Sequence, residues 1–192
     1  SLEEPFPVKY FKQGQIKYLE EVYEFMKLLK EKVYSALSNN YIPVVLGGDH
    51  SLAIGSLSAS IKYHKEMGKK LGLIWFDAHG DFNTEETSLS GNIHGMPLAL
   101  ATGQGNAKLL SLFENNYIDP RRTVLMGVRS IDPEEGKRLD EYGIHVVTMK
   151  DIDEKGIYNC IKDAIKIVSP KKDPIHVSFD VDGLDATTTP GT

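Results

Sequence analysis

Short apolar runs alternate along this chain with stretches of helical period, and several of the runs end in aspartate or histidine. The plainest case is Gly72-Leu73-Ile74-Trp75-Phe76, which runs into Asp77-Ala78-His79-Gly80-Asp81-Phe82-Asn83. A short apolar run of this kind reads as a buried strand. In extended chain alternate side chains point the same way, so Asp77, His79 and Asp81 can aim at one point. Two carboxylates and an imidazole meeting there would repel or desolvate one another unless a cation sat among them.

Taken in order, residues 1–14 read as a loop, with Pro5, Pro7 and Gly14 as breakers. From Gln15 to Leu37 the apolar residues keep a helical period, and Ser38-Asn39-Asn40 stops it. Ile42 to Leu46 reads as a short buried strand ending in Gly47-Gly48-Asp49-His50-Ser51, where two glycines let the chain turn. A second helix is expected from Ser51 to about Met67. After the 72–76 strand, residues 84–103 read as a long polar loop, followed by a helix over about 106–115. Thr123 to Val128 is another apolar strand. Asp132-Pro133 then reads as an N-cap and first helical residue, with the helix running to about Tyr142. Ile144 to Thr148 is a further strand, and its His145 reads as an ordinary surface or core histidine. A helix over about 154–168 carries Cys160 on its apolar stripe, as a packed thiol. Pro174 to Phe179 is the last strand, and it ends in Asp180-Val181-Asp182-Gly183-Leu184-Asp185.

This alternation predicts an α/β fold with a mostly parallel sheet, as a single domain over 1–192. In such sheets ligands bind outside the carboxyl ends of the strands. His50, the Asp77/His79/Asp81 cluster and the Asp180/Asp182 pair all fall at those ends. Four aspartates and two neutral histidines bring four negative charges, which two divalent cations balance. There is no thiolate among them, and six ligands exceed one tetrahedral zinc. Carboxylate with imidazole suits manganese or another octahedral first-row ion. Two such ions lower the pKa of a shared water, which predicts metal-assisted hydrolysis.

Composition removes other classes. A chain of 192 residues, 41% hydrophobic and 26% charged, suits one globular domain. A net charge of −5 with no basic stripe argues against nucleic acid and against an anionic membrane surface. No apolar run approaches the roughly 18 residues a spanning helix needs. The single cysteine rules out an internal disulfide and fits a reducing compartment.

The motifs Gly47-Gly48-Asp49-His50-Ser51-Leu52-Ala53-Ile54-Gly55-Ser56, Asp77-Ala78-His79-Gly80-Asp81, Ser90-Gly91-Asn92-Ile93-His94-Gly95 and Ser178-Phe179-Asp180-Val181-Asp182-Gly183-Leu184-Asp185 resemble those of the ureohydrolase family, and within it the arginases. The resemblance runs from about residue 40 to the C-terminus in the family's order. It implies a three-layer α/β/α fold and a binuclear manganese site whose bridging hydroxide attacks the guanidino carbon of L-arginine, giving L-ornithine and urea. It makes His50, Asp77, Asp81 and Asp180 the ligands of one Mn2+ ion and Asp77, His79, Asp180 and Asp182 those of the other. Asp81 would also orient the hydroxide, and His94 matches the family's proton shuttle.

The loop residues Asn83, Ser88, Ser90 and Asn92 offer neutral donors for a substrate carboxylate, and the family uses the equivalents of Asn83 and Ser90 that way. Asp132 and Glu135 match residues meeting the α-amino end, and the donors offered to a carboxylate, which agmatine lacks, favour arginine over agmatine. Ser130 stands where many arginases carry a second acid. By the same resemblance the first strands of the fold and a guanidinium-gripping glutamate fall outside the chain. Both ends are therefore expected to be cut, with a gap in the sheet between the 43–46 and 175–179 strands. The resemblance also implies a homotrimer or homohexamer and a cytoplasmic location, the mitochondrial matrix being the alternative. Three rivals stand beside it: an agmatinase or other guanidino hydrolase, a non-catalytic metal-binding or structural relative, and a single-zinc deacetylase of related fold.

Overall fold

The computed structural model describes residues 15–184 together with 187 and 189. The expected loop at 1–14 and Asp185 lie outside the described residues. Four strands, β1 (Gly72–Phe76), β2 (Thr123–Val128), β3 (His145–Thr148) and β4 (Ile175–Phe179), form one sheet in the order β3-β2-β1-β4. Every pairing is parallel. All carboxyl ends therefore lie along one edge.

The two faces of the sheet are covered by different helices because side chains alternate along each strand. Leu73, Trp75 and Leu125 join the larger core, with Ile54 and Leu57 of α2 (Leu52–Glu66) and Met26 of α1 (Leu19–Ser38). Ile74, Val124 and Met126 face Cys160, Ala164 and Val168 of α7 (Ile157–Val168). The result is the expected three-layer α/β/α arrangement, with Cys160 a buried core thiol. Burying one such Leu or Val side chain contributes about 1.5–3 kcal/mol. Helix α2 is buried over its whole first half, Ala53 to Ile61. Its Gly55 is required by a close approach, since a Cβ there would stand 2.9 Å from the Met26 carbonyl oxygen of α1.

Several boundaries differ from the sequence reading. Helix α1 starts at Leu19 rather than Gln15, because the preceding backbone is tied elsewhere: the Lys17 N–H donates to the Gly91 carbonyl. Residues 42–46 form no strand. Ile42 and Leu46 are 91% and 88% exposed, and among the described residues no neighbouring strand supplies a ladder. A short apolar run supplies side chains to bury, but only a hydrogen-bonded partner makes a strand.

The expected loop at 84–103 contains a buried turn of helix, α3 (Pro97–Ala101), opened by proline at its first position. The expected helix at 106–115 is split into α4 (Ala107–Leu110) and a 3₁₀ turn, Ser111–Phe113. Helix α5 covers Pro133–Tyr142, and the 154–168 helix is preceded by a separate α6 (Met149–Lys155). His145 is exposed at the start of β3. Among the described residues no helix is long and apolar enough to cross a membrane.

Candidate metal centre

The carboxyl ends of β1 and β4 deliver the acidic residues, and the turn before α2 delivers His50. The loop after β1 bends back on itself, and Asp81 takes a left-handed φ of 48°. The Nδ1 atom of His50 lies 2.8 Å from Asp77 Oδ2, 3.1 Å from Asp81 Oδ2 and 3.3 Å from Asp180 Oδ2. A single imidazole proton cannot serve three carboxylates. Asp81 Oδ2 is buried with no hydrogen-bond partner among the described residues. His79 Nδ1 stands 3.0 Å from Asp182 Oδ2 and 3.4 Å from Asp77 Oδ1.

Two ligand sets result. His50, Asp77 and Asp180 form one, and Asp77, His79 and Asp182 the other, each with donor atoms within 4.8 Å of one another. Asp77 belongs to both. Asp81 stands beside the first set through His50. The orphaned Asp81 oxygen, the oxygen-and-imidazole donor chemistry and the excess of negative charge all fit divalent cations.

The electrostatics express the same strain. Burial alone would lower the pKa of His50, but the hydrogen bond to Asp77 and the adjacent Asp81 carboxylate outweigh that and raise it to about 9. Burial, with the neighbouring Asp77 charge, pushes Asp81 up to about 7. Asp182 is raised by burial and then by Asp77 and Asp180. Burial pushes Asp77 up too, but His50 and the His79 N–H hold its carboxyl below the usual range.

Three groups not singled out in the sequence support the ligands or the His94 ring beside them. The Trp75 indole N–H donates to Asp77 Oδ2 at 3.0 Å, and its ring stacks on His50 at 4.0 Å. Ser178 Oγ lies 2.8 Å from His50 Nε2. Trp75 and Ser178 are register partners on adjacent strands, so both point toward the same core face. Each lies two residues before a strand-end aspartate, and the period of two was the signal that could have found them. The third is Asp49. Its Oδ1 accepts from the Ser51 N–H and hydroxyl, and its Oδ2 stands 3.5 Å from His94 Nδ1.

A cavity of about 460 Å³ opens over the cluster. Its wall includes His50, Asp77, His79, Asp81, Asp180 and Asp182 together with Asn83, His94, Asp132 and Glu135. Asp132 sits at the N-cap position of α5 but makes no capping bond, so its carboxylate is left to the cavity. Glu135 is buried. It accepts from the Phe82 N–H and the Asn83 amide, and burial raises its pKa. Ser88, Ser90 and Asn92 do not line this cavity. The Ser88 hydroxyl accepts from the Gly91 N–H and the Ser90 hydroxyl from the Asn92 N–H, so both close turns of the loop.

The family model for the arginase family matches residues 4–192. The chain belongs to the arginase family. It is 44% identical over 181 residues to an arginase of Staphylococcus aureus (strain MRSA252), covering 94% of this chain and 58% of that one. The solved native arginase of Bacillus caldovelox superposes with a TM-score of 0.89 at 39% identity, over 98% of this chain and 62% of that one. An Entamoeba histolytica arginase solved in complex with L-ornithine gives a TM-score of 0.87 at 36% identity, over 96% and 62%. The chain thus spans about three fifths of the length of these relatives. Arginase-family proteins are metal-dependent, in keeping with the two ligand sets at the sheet edge.

Proposed function

We propose that this chain carries the catalytic centre of an arginase, a binuclear manganese enzyme that hydrolyses L-arginine to L-ornithine and urea. The observation that carries the reading is the pair of ligand sets sharing Asp77 beneath one polar cavity. Two Mn2+ ions held there would neutralise the carboxylates and lower the pKa of a water molecule toward neutrality. In this reading Asp81, with a buried and unpartnered oxygen, accepts a hydrogen bond from the attacking water and fixes its direction. The water would give one proton to solvent, its oxygen would bond to the guanidino carbon, the bond from that carbon to the side-chain nitrogen would break, and the remaining hydroxyl proton would pass to the departing amine, which then takes up a proton from solvent to leave ornithine and urea. His94, half exposed on the cavity wall, carries that proton. Asp49 beside Nδ1 leaves the far ring nitrogen of His94 for the transfer.

Arginine is favoured over agmatine because the cavity wall offers both an acidic and a neutral polar group. Asp132 suits the α-ammonium, and the Asn83 amide, braced by Glu135, suits the α-carboxylate. The L-ornithine in the Entamoeba histolytica arginase complex is the product this reaction would leave. A cytoplasmic trimer or hexamer completes the reading on family resemblance.

The test is urea release from arginine and from agmatine with added manganese, alongside metal analysis. Turnover of agmatine alone would replace arginase by agmatinase. Bound metal without urea from either substrate would make the protein a non-catalytic relative.

A further inference from the structure

We infer that Arg129 is a positioning residue that holds Asp182 in the second ligand set, so that the two cations depend on it unequally. This rests on the two-cation reading above.

Asp182 lies in a single 3₁₀ turn, Val181–Gly183, beyond β4. A short turn leaves its closing carbonyls without partners inside the turn. The Nη2 atom of Arg129 donates to the carbonyl oxygens of Asp182, at 2.5 Å, and Leu184, at 3.3 Å. Arg129 itself is moored to a different loop. Its backbone N–H and that of Ser130 both donate to the Ala78 carbonyl, at 3.0 and 2.9 Å. The Ala78 N–H in turn donates to Asp182 Oδ1. One residue at the end of β2 therefore clasps the β4 turn to the β1 loop, between Asp77 and His79 on one side and Asp182 on the other.

Asp180 is secured mainly by the sheet, although its Oδ1 also accepts from the Asp182 N–H at 3.0 Å and so opens the same turn. Its N–H donates to the Phe76 carbonyl at 2.8 Å, continuing the β1–β4 ladder. His50, in the same ligand set, is braced by Ser178 and Trp75. The set of His50, Asp77 and Asp180 is thus built on the sheet. The set of Asp77, His79 and Asp182 is completed by a turn that Arg129 holds.

The sign separates positioning from bulk charge. A guanidinium near a cation site repels the ion, so its removal by charge alone would tighten binding. The side chain is exposed and screened, which makes that effect small. Loss of groups that orient metal ligands typically weakens affinity by about 10- to 100-fold.

The experiment is a Mn2+ titration of the whole protein, read by calorimetry and by the metal retained after gel filtration. It compares the unaltered protein with Arg129→Ala and Arg129→Lys, with circular dichroism melting of each. The unaltered protein should hold two ions. Arg129→Ala should keep one at unaltered affinity and bind the other roughly tenfold or more weakly. Arg129→Lys, with an ammonium on a flexible stem in place of the planar guanidinium, should fall between. Two ions in Arg129→Ala at unaltered or higher affinity would overturn the inference, as would equal weakening of both in a folded variant. Fewer than two ions in the unaltered protein would overturn the two-cation reading, and this inference with it.

Discussion

The Trp75 indole reaches Asp77, the carboxylate common to both ligand sets, with a 3.0 Å hydrogen bond while its ring lies flat against His50. Both partners are metal-ligand candidates, and Trp75 is the single tryptophan of the sequence. Adding Mn2+ to metal-stripped protein should therefore change tryptophan emission in proportion to occupancy. Trp75→Phe keeps a ring but removes the donor, and should cost about 1–3 kcal/mol of stability and about tenfold in metal affinity. A fluorescence titration and a denaturation curve check both. Emission indifferent to metal would contradict the contact.

His94 and Asp49 should separate proton transfer from metal binding. His94→Asn is expected to lower turnover by about 10²-fold or more while metal content stays the same. Asp49→Asn should lower turnover by a smaller factor, because His94 remains but its ring is less firmly oriented. Urea assays beside metal analysis give the answer. Loss of metal in His94→Asn would assign that histidine to the ligand set instead.

Gly55 gives a test confined to packing. In Gly55→Ala the new methyl would meet the Met26 backbone oxygen at 2.9 Å, where only a helix shift can relieve it. The expected loss is about 1–3 kcal/mol. Denaturant midpoints should fall while bound metal per folded chain stays constant.

His176 sets a pH dependence away from the metal centre. Burial beneath α2, with His64 nearby, lowers its pKa to about 4 from an ordinary 6.5. Its Nδ1 faces Ser60 Oγ at 3.0 Å. Between those two values the unfolded chain binds a proton that the folded chain does not. Stability should therefore fall as pH falls from about 6.5 to about 4, with no further loss from this group below that. Unfolding curves at a series of pH values should show a shallower slope for His176→Asn.

The layering and the metal cluster were legible because both follow from side-chain alternation. Leu73 and Trp75 against Ile74 divide the two cores, and the same period brings Asp77, Asp180 and their neighbours to one edge. The strand expected at 42–46 did not form, since a short apolar run says nothing of whether a pairing strand is present. Ser88 and Ser90 lie off the cavity wall, where their hydroxyl oxygens accept from the Gly91 and Asn92 N–H groups and close turns of the loop, a local role that small polar residues take readily. Arg129 left no trace in the sequence, because its effect depends on carbonyls from a strand far along the chain.

The ligands arrive from segments that meet only after parallel crossovers have closed. In the unfolded chain His50, Asp77 and Asp180 are far apart, so a preformed site exists only in the assembled sheet. Ions that recognise that geometry bind the native form and not the denatured one. By mass action they then act as a thermodynamic clasp whose strength grows with free ion concentration, and a chelator withdraws it. Cation supply and fold lifetime become one variable, set at the point where β1 and β4 lie side by side.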